Sequence, residues 1–413
     1  MRIPILLLLV CIISGNVFSQ DIVEWRGPNR TGIYPDRNLL KSWPENGPQL
    51  ILELNAIGNG YSSPVVYKNN IYVTGRKDTL DVVSSYALNG TKNWETVYGR
   101  AWNRTYSESR CTPTLSNDRI YLVSGMGEVC CVDATSGKLV WTVDVQIEHK
   151  GEPHRWGIAE SLAISDKAVF YVTGGEETSV IALDRTDGKL IWKTKSMGGT
   201  RAYASSLIIE IAGLKLLLAQ TANDLLAIDT GNGEIVWSYN LIQYHLGETG
   251  IGSNTNTPLW YNNEIFITSG YDHPAMLFSL AADGRSVSLK WTNPDFDNHL
   301  GGVVKVGDSI FGSNWKNNSN GNWMCIDWDT GKTGYETKWF NKGPIISADG
   351  MLYCYEEKTG NLALVRPDPE KFDVVSSFKI GKGTGPHWAH PAIFDGKLFV
   401  RHGESLMVYN LKN

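Results

Sequence analysis

Hydrophobic and polar residues alternate along the chain in short runs typical of β-strands, and the runs recur in one pattern. In its clearest copies, Cys130–Trp141 and Ile181–Trp192, an apolar strand ends at an Asp, a Gly follows four residues later, and a Trp follows four residues after the Gly. The Asp side chain can bond the turn backbone, and Gly accepts the positive φ of a tight turn. Each copy therefore predicts a β-hairpin with an aromatic residue on its second strand.

The pattern occurs eight times, at intervals of roughly 40 to 50 residues, which is the spacing of propeller blades. Two further strand-like runs precede each hairpin, as residues 63–66 and 70–73 precede the first, so each unit supplies four strands. The hairpins begin at Tyr86, Cys130, Ile181, Leu226, Phe278, Cys325, Leu362 and Leu406.

The two ends of the repeat region complement each other. The eighth copy runs to Asn413 without an outer, aromatic-bearing strand, whereas Gln49–Leu54 reads as a strand with no blade of its own. Pairing of the two would close the ring and remove the open sheet edges. We therefore predict an all-β fold, an eight-bladed β-propeller with four-stranded blades over residues 49–413, preceded by a lead segment over residues 20–48. The aromatic residues that would lock neighbouring blades together are Trp94, Trp141, Trp192, Trp237 and Trp291.

Residues 1–19 have the features of a cleavable export signal. A positive residue precedes the apolar stretch Ile3–Ile13, and Val17–Ser19 offers a small-residue cleavage site. That stretch is shorter than the ~20 residues of a membrane-spanning helix, and no other segment approaches this length. Cys11 would suggest a lipid anchor, but Val10 stands where a lipoprotein signal has a small residue. We expect a periplasmic or secreted protein with neither a lipid anchor nor a transmembrane segment.

Charge and cysteine content exclude two classes of protein. The formal net charge is −5, so no broad cationic surface is available to neutralise a phosphate backbone, and nucleic acid is not an expected partner. Removal of the signal leaves five cysteines, and an odd, sparse set does not make a disulfide framework.

Blocks such as Ala182–Trp192, of the form Ala-x-Asp-x-x-x-Gly-Lys-x-x-Trp, resemble the tryptophan-docking repeats of the pyrroloquinoline-quinone-like (PQQ-like) propeller superfamily. The resemblance covers essentially the whole mature chain. Glu24–Gly32 also resembles the start of a bacterial branch labelled as polyvinyl-alcohol-dehydrogenase-like or quinone-repeat proteins. The superfamily includes quinone-dependent dehydrogenases of alcohols and sugars, and also a non-catalytic scaffold lipoprotein of the outer-membrane barrel-assembly machinery. The resemblance therefore implies the scaffold and leaves the chemistry open.

The loops that enter the innermost strands of a propeller converge on one mouth of the channel, so residues just before these strands are candidate ligand contacts. They are polar or aromatic and carry both charges, which suits a small polar ligand or a quinone held by Arg, Lys and a stacked ring. The same composition fits a wet rim in which Arg110, Glu160 and Lys342 neutralise one another. The candidates are Tyr61, Arg110, Glu160, Tyr203, Asn254, Asn256, His299, Lys342, His387, Trp388 and His390.

Metal and catalytic roles rest on fewer residues. His387 and His390 could hold a metal, but residues three apart on an extended segment point to opposite faces. For a dehydrogenase, the resemblance implies a calcium ion held by Glu160 and Asn254, and Asp297 as the base that takes the hydroxyl proton of the substrate. The motifs around these residues do not match those of the enzymes, and residues 293–297 also read as an ordinary turn.

Cys130 and Cys131 are adjacent, as are the disulfide-bonded cysteines beside the cofactor of some quinoprotein alcohol dehydrogenases. In this chain Cys131 occupies the repeat position that holds Ala182 and Ala227 in other copies. Adjacent strand residues also face opposite sides of the sheet, which disfavours a bridge. We expect both to be packing residues.

We expect an exported, non-catalytic binding or scaffold protein of the bacterial cell envelope, whose partner is a small polar ligand or an envelope protein. The alternative is a PQQ- and calcium-dependent quinoprotein dehydrogenase that acts on alcohols or sugars.

Overall fold

A computed structural model describes residues 22–152, 154–245 and 253–412. The predicted export signal over residues 1–19, including Cys11, lies outside the described residues.

The chain forms eight blades, each containing four antiparallel strands, and the prediction of an all-β propeller is confirmed. Blades are numbered along the chain by their innermost strands. Blade 1 comprises Val65–Tyr67, Asn70–Lys77, Leu80–Ala87 and Lys92–Arg100, and blade 2 comprises Thr114–Ser116, Arg119–Val123, Glu128–Asp133 and Leu139–Asp144. Blade 3 comprises Ala163–Ile164, Ala168–Val172, Val180–Asp184 and Leu190–Lys193, and blade 4 comprises Leu207–Ile211, Leu214–Gln220, Asp224–Asp229 and Ile235–Asn240.

Blades 5 to 8 follow the same order from the inside outwards, except that blade 8 takes its outer strand from the N-terminal side of the chain. Blade 5 comprises Leu259–Tyr261, Glu264–Ile267, Ala275–Leu280 and Val287–Asn293, and blade 6 comprises Val304–Val306, Ser309–Ser313, Trp323–Asp327 and Thr333–Thr337. Blade 7 comprises Ile345–Ala348, Met351–Tyr355, Asn361–Arg366 and Asp373–Lys379, and blade 8 comprises Ala392–Phe394, Lys397–His402, Ser405–Asn410 and Leu50–Leu54. The described helices are the short α-helix Val145–His149 and the 3-10 turns Pro28–Arg30 and Ile242–Tyr244.

The N-terminal strand closes the ring, as predicted. Leu50–Leu54 pairs antiparallel with Ser405–Asn410, with Leu54 opposite Leu406 and Leu52 opposite Val408. Blade 8 is thus a complete four-stranded sheet, although its outer strand and its three inner strands come from opposite ends of the chain.

The repeat residues lock each blade onto the next one. Trp192 lies on the outer strand of blade 3, and its indole N–H donates to the Thr230 carbonyl of blade 4 at 3.0 Å. The turn glycine of blade 4, Gly233, has φ +79°, and a Cβ there would lie 2.7 Å from the Trp192 ring. Gly is therefore required at this position for two reasons. The backbone has a positive φ, and the indole packs where a Cβ would lie. Trp94, Trp141, Trp237 and Trp291 donate to the following blade in the same way, at 2.9 to 3.1 Å.

The lead segment lies inside the ring, which the sequence did not indicate. Val23 exchanges backbone hydrogen bonds with Leu115 on the innermost strand of blade 2. Ile33–Tyr34 pairs in parallel with Ile345–Ala348, the innermost strand of blade 7. The outer edges of these innermost strands are already paired, so their free edges face the channel, and the segment between residues 23 and 34 crosses it.

Beyond the channel, the lead passes between blades 7 and 8. The Leu40 backbone N–H donates to the Leu411 carbonyl at 2.7 Å. Trp43 packs against Tyr353 and edge-on against Phe378, with ring centroids 5.8 and 5.4 Å apart. The lead then reaches Leu50–Leu54, so one continuous segment crosses the channel, passes between two blades and closes the ring.

Candidate functional site

A cavity of about 330 Å³ opens at the channel mouth, where the loops enter the innermost strands. Its volume is at the lower end of the ~300–1,000 Å³ range of small-molecule sites. Seven aromatic residues line it: Trp25, Tyr61, Tyr106, Trp156, Tyr203, Tyr271 and Trp388. The other lining residues are Arg110, Thr112, Ala159, Ser161, Thr255, His299, Leu300, Asn318, Glu357 and His390.

The aromatic residues form two groups of touching rings. Trp388, from the loop before blade 8, contacts Tyr61 at 4.9 Å and Tyr106 at 5.3 Å between ring centroids. In the other group, Trp156 stacks on Tyr271 at 5.7 Å and meets Tyr203 edge-on at 6.4 Å. The rings brace one another, which keeps them in place without a ligand.

The floor of the cavity comes from the lead segment. Trp25 packs edge-on against His390 at 5.1 Å. Next to it, the buried Arg26 guanidinium donates to the Ile345 carbonyl at 3.0 Å, to the Val303 carbonyl, and to Nδ1 of His390 at 2.9 Å. Arg26 thus fixes Trp25 in position by tying the lead to the loops of blades 6, 7 and 8.

His390 is held as a neutral ring. Its Nε2–H donates to the Leu300 carbonyl at 2.9 Å, which leaves Nδ1 as the acceptor for Arg26. Burial, reinforced by the neighbouring Arg26 cation, holds the pKa of His390 well below its ordinary value of 6.5. A proton on Nδ1 would face the guanidinium directly.

The charged groups of the cavity are largely compensated. Glu357 pairs with the buried ammonium of Lys342 and accepts from the Trp388 indole N–H at 3.1 Å. Arg110 donates to the Trp156 carbonyl and lies over the Tyr203 ring at 5.7 Å. Its other terminal nitrogen, Nη2, has no acceptor among the described residues. Arg110 is therefore a lining residue with one buried, unpaired donor.

His299 is the second lining group with unused hydrogen-bonding capacity. Its ring meets Tyr271 edge-on at 4.7 Å and makes no hydrogen bond to another residue that the structure describes. Burial lowers its pKa to about 3, so the ring is neutral at ordinary pH and offers one donor and one acceptor.

The structure brings some of the sequence candidates to the cavity and places the others elsewhere. The lining candidates are Tyr61, Arg110, Tyr203, His299, Trp388 and His390. Of the others, Lys342 reaches the site through Glu357 and through the Asn318 carbonyl, to which it donates at 3.2 Å, and the Asn256 amide donates to the Asn298 carbonyl at 2.6 Å. His387 stacks on His402 at 3.6 Å and bonds the Tyr355 hydroxyl, so it does not share a site with His390.

Glu160 and Asn254 do not fit a calcium site. Glu160 is fully buried and forms an ion pair with buried Arg201 at 2.7 Å. Asn254 donates its amide to the Thr221 carbonyl at 2.8 Å. Among residues 22–152, 154–245 and 253–412, no three His, Cys, Asp or Glu side chains are grouped to hold a metal ion. The Glu160 carboxylate is therefore already neutralised by the Arg201 guanidinium.

Asp297 also lies outside the cavity lining. Its carboxylate accepts the backbone N–H groups of Trp315 at 3.1 Å and Asp272 at 3.3 Å. Burial raises its pKa to about 7, a value suited to a base, but the group caps local backbone. Cys130 and Cys131 are both free and buried within one strand of blade 2, as packing residues are.

Five of the lining residues that the sequence analysis missed do not stand just before an innermost strand, where the candidates were sought. Tyr271 and Glu357 belong to turns between the second and third strands of their blades, which also reach the mouth. Tyr106 and Trp156 lie in long connections between blades. Trp25 lies within the Glu24–Gly32 block, and the resemblance of that block to known proteins was the sequence signal that could have pointed to Trp25.

The part of the chain that the structure describes contains no helix long and apolar enough to cross a membrane.

Comparison with known proteins gives relatives that include assembly factors of the outer membrane and quinone-dependent dehydrogenases. A family model described as outer membrane protein assembly factor BamB matches residues 79–339. A 1-butanol dehydrogenase (quinone) from Thauera butanivorans is 24% identical over 64% of this chain and 47% of its own length. The outer membrane protein assembly factor BamB of Yersinia pestis is 27% identical over 37% of each chain.

Solved structures agree on the fold. BamB from Moraxella catarrhalis superimposes with a TM-score of 0.63 at 14% identity, over 88% of this chain and 99% of that one. The chain spans about half or less of the length of the first quinoprotein dehydrogenases it matches. These dehydrogenases therefore have substantial parts with no counterpart in the matched region.

Proposed function

Since the chain belongs to the family of the outer membrane protein assembly factor BamB, we propose that it is an exported, non-catalytic binding protein of the bacterial cell envelope. Its ligand is a small polar molecule bound in the cavity at the channel mouth. The export signal predicted over residues 1–19 and the envelope role in the name of the family support the location.

One observation carries the binding role: the lead segment crosses the channel beneath the aromatic cavity. Trp25 of the lead lines the cavity, and Arg26 fixes the lead to carbonyl groups of blades 6 and 7. Braced rings above it bury a ligand at little ordering cost, because the protein side is already organised.

The competing function is a PQQ- and calcium-dependent dehydrogenase of alcohols or sugars, which the quinone-dependent relatives favour. It requires a metal near a quinone and a base at the substrate hydroxyl. In this chain Glu160 is neutralised by Arg201, and Asp297 is occupied by two backbone N–H groups outside the cavity lining. The residues present therefore do not fit the calcium and base roles, and binding without chemistry is the better supported function.

Dye reduction tests the choice between the two functions. Mature protein is incubated with PQQ and calcium chloride and assayed with a panel of primary alcohols and sugars. We expect no turnover above the protein-free control. Saturable activity that Asp297→Asn abolishes would overturn the proposal in favour of the dehydrogenase.

A positive test of binding uses the fluorescence of Trp25, Trp156 and Trp388, all of which line the cavity. Neutral sugars, aromatic carboxylates and quaternary ammonium compounds are titrated separately. We expect a saturable change with at least one class, weakened by Tyr106→Ala. No response to any class would contradict a small-molecule role, and recovery of the tagged protein in the cytoplasmic fraction would contradict the envelope location.

A further inference from the structure

The lining of the cavity is rich in flat apolar surface and poor in net charge. Its seven aromatic residues come from the lead segment and from loops all around the mouth. Aromatic faces carry partial negative charge and attract groups with a partially positive surface. A ligand of this cavity must therefore present apolar faces with a slight positive potential to more than one ring.

The charges argue against an ionic ligand. Glu357 is the carboxylate of the lining, and it is compensated by Lys342 and by the Trp388 indole. A quaternary ammonium ion would have no free carboxylate there and would lie near Arg110. A multiply charged anion would meet a single guanidinium, and the lining also contains the Glu357 carboxylate.

The unused hydrogen-bonding groups match hydroxyls. Arg110 Nη2 has no acceptor among the described residues. The neutral ring of His299 offers a donor and an acceptor, and makes no bond to any other residue described by the structure. A hydroxyl group is both donor and acceptor, so it can satisfy either residue.

From these observations we infer that the cavity binds an uncharged carbohydrate, with the C–H faces of a pyranose ring against the aromatic side chains and its hydroxyls toward Arg110 and His299. A pyranose combines the two properties required, because its C–H groups form apolar faces while its hydroxyls project around the edge. The inference rests on the proposed binding function and adds the chemical class of the ligand.

The test pairs two exposed tyrosines. Tyr106 is 54% exposed at the mouth, and Tyr261 is 47% exposed at the end of the innermost strand of blade 5, at the opposite face. Neither side chain is a core residue, so both Ala variants should fold. The probes are methyl β-D-glucopyranoside, N-acetylglucosamine, cellobiose and maltose, measured by calorimetry and by saturation-transfer NMR. We expect at least one probe to bind, with the Kd raised about tenfold in Tyr106→Ala and within about twofold of the parent in Tyr261→Ala.

A second variant, His299→Phe, keeps the aromatic contact with Tyr271 and removes the polar atoms. It should weaken carbohydrate binding while leaving the unfolding free energy of the ligand-free protein unchanged.

The outcomes separate this inference from the proposed function. If no sugar binds but an aromatic carboxylate or a quaternary ammonium compound does, and Tyr106→Ala weakens it, the carbohydrate is ruled out and the binding function stands. If PQQ supports oxidation of a sugar, both fail. Equal effects of Tyr106→Ala and Tyr261→Ala would show that any sugar binding lies outside the cavity and would overturn the inference.

Discussion

The contacts between successive blades differ between two regions of the ring. Each of blades 1 to 5 is joined to the next by a tryptophan whose indole N–H donates to a carbonyl of the following hairpin, as Trp192 does to Thr230. Between blades 7 and 8 no such tryptophan is present: Ser377 stands opposite Ala363, where Trp192 stands opposite Ala182. Trp43 of the lead segment packs there against Phe378 and Tyr353 of blade 7, and Phe378 in turn meets Tyr409 of blade 8 at 5.1 Å between ring centroids.

The difference shows two ways of solving one packing problem. A regular contact is encoded in each repeat and joins residues that are close in sequence, as Trp192 and Thr230 are, 38 positions apart. Blade 8 has no hairpin between its third and outer strands, because these two strands come from opposite ends of the chain, so the repeat cannot encode the contact of blade 7 with blade 8. The lead supplies it and at the same time forms the floor of the cavity, so the stability of the closing contact and the shape of the site depend on the same segment.

Truncation of the two tryptophans is expected to have the largest effect. Trp192→Ala and Trp43→Ala should each lower the free energy of unfolding by about 3–5 kcal/mol, because each leaves a large cavity between blades. Guanidinium denaturation of mature protein measures the change, with Tyr261→Ala as an exposed control. A Trp43→Ala variant as stable as the parent would show that the lead does not hold blades 7 and 8 together.

A pair of glycines sharpens the comparison at a regular contact. Gly213 and Gly233 both have φ +79°, but a Cβ at Gly213 would meet nothing within 4 Å, whereas one at Gly233 would lie 2.7 Å from the Trp192 ring. Gly213→Ala should cost only the backbone strain, about 1–2 kcal/mol. Gly233→Ala should cost about 1–3 kcal/mol more, because the indole must move. Equal losses in denaturation experiments would contradict the docking role of Trp192.

The contact between Arg26 of the lead and His390 should also make the stability of the protein depend on pH, whereas the tryptophan contacts between blades should not. Burial and Arg26 lower the pKa of His390, so the unfolded chain binds its proton more readily than the folded protein. The stability from the neutral ring is complete above the ordinary pKa of 6.5 and is lost as the pH falls below it.

His390→Gln keeps an acceptor and a donor but cannot take up a proton. Between pH 7 and 5 the variant should lose less stability than the parent, by roughly 1–2 kcal/mol. Urea denaturation at both pH values measures the difference between the variant and the parent. Identical pH profiles of His390→Gln and the parent would exclude His390 as the acid-sensitive group of the lead.

The repeat sequence by itself determined the blade count, the hairpin turns and the docking tryptophans. This was possible because those contacts are local: an alternating strand, a glycine with positive φ and a tryptophan recur within one short unit. Closure by Gln49–Leu54 followed as well, because a strand without a blade complements a blade without a strand.

Only the tertiary structure decided the course of the lead and the composition of the cavity. Arg26 meets His390 across 364 positions of sequence, and nothing in the local pattern around either residue indicates the other. Arg110 and Glu160 both precede an innermost strand and so lie near the mouth. Packing places Arg110 in the lining of the cavity, whereas it pairs Glu160 with Arg201. Strand periodicity predicts which residues face a sheet neighbour, whereas the direction of a loop side chain depends on all the loops that surround it.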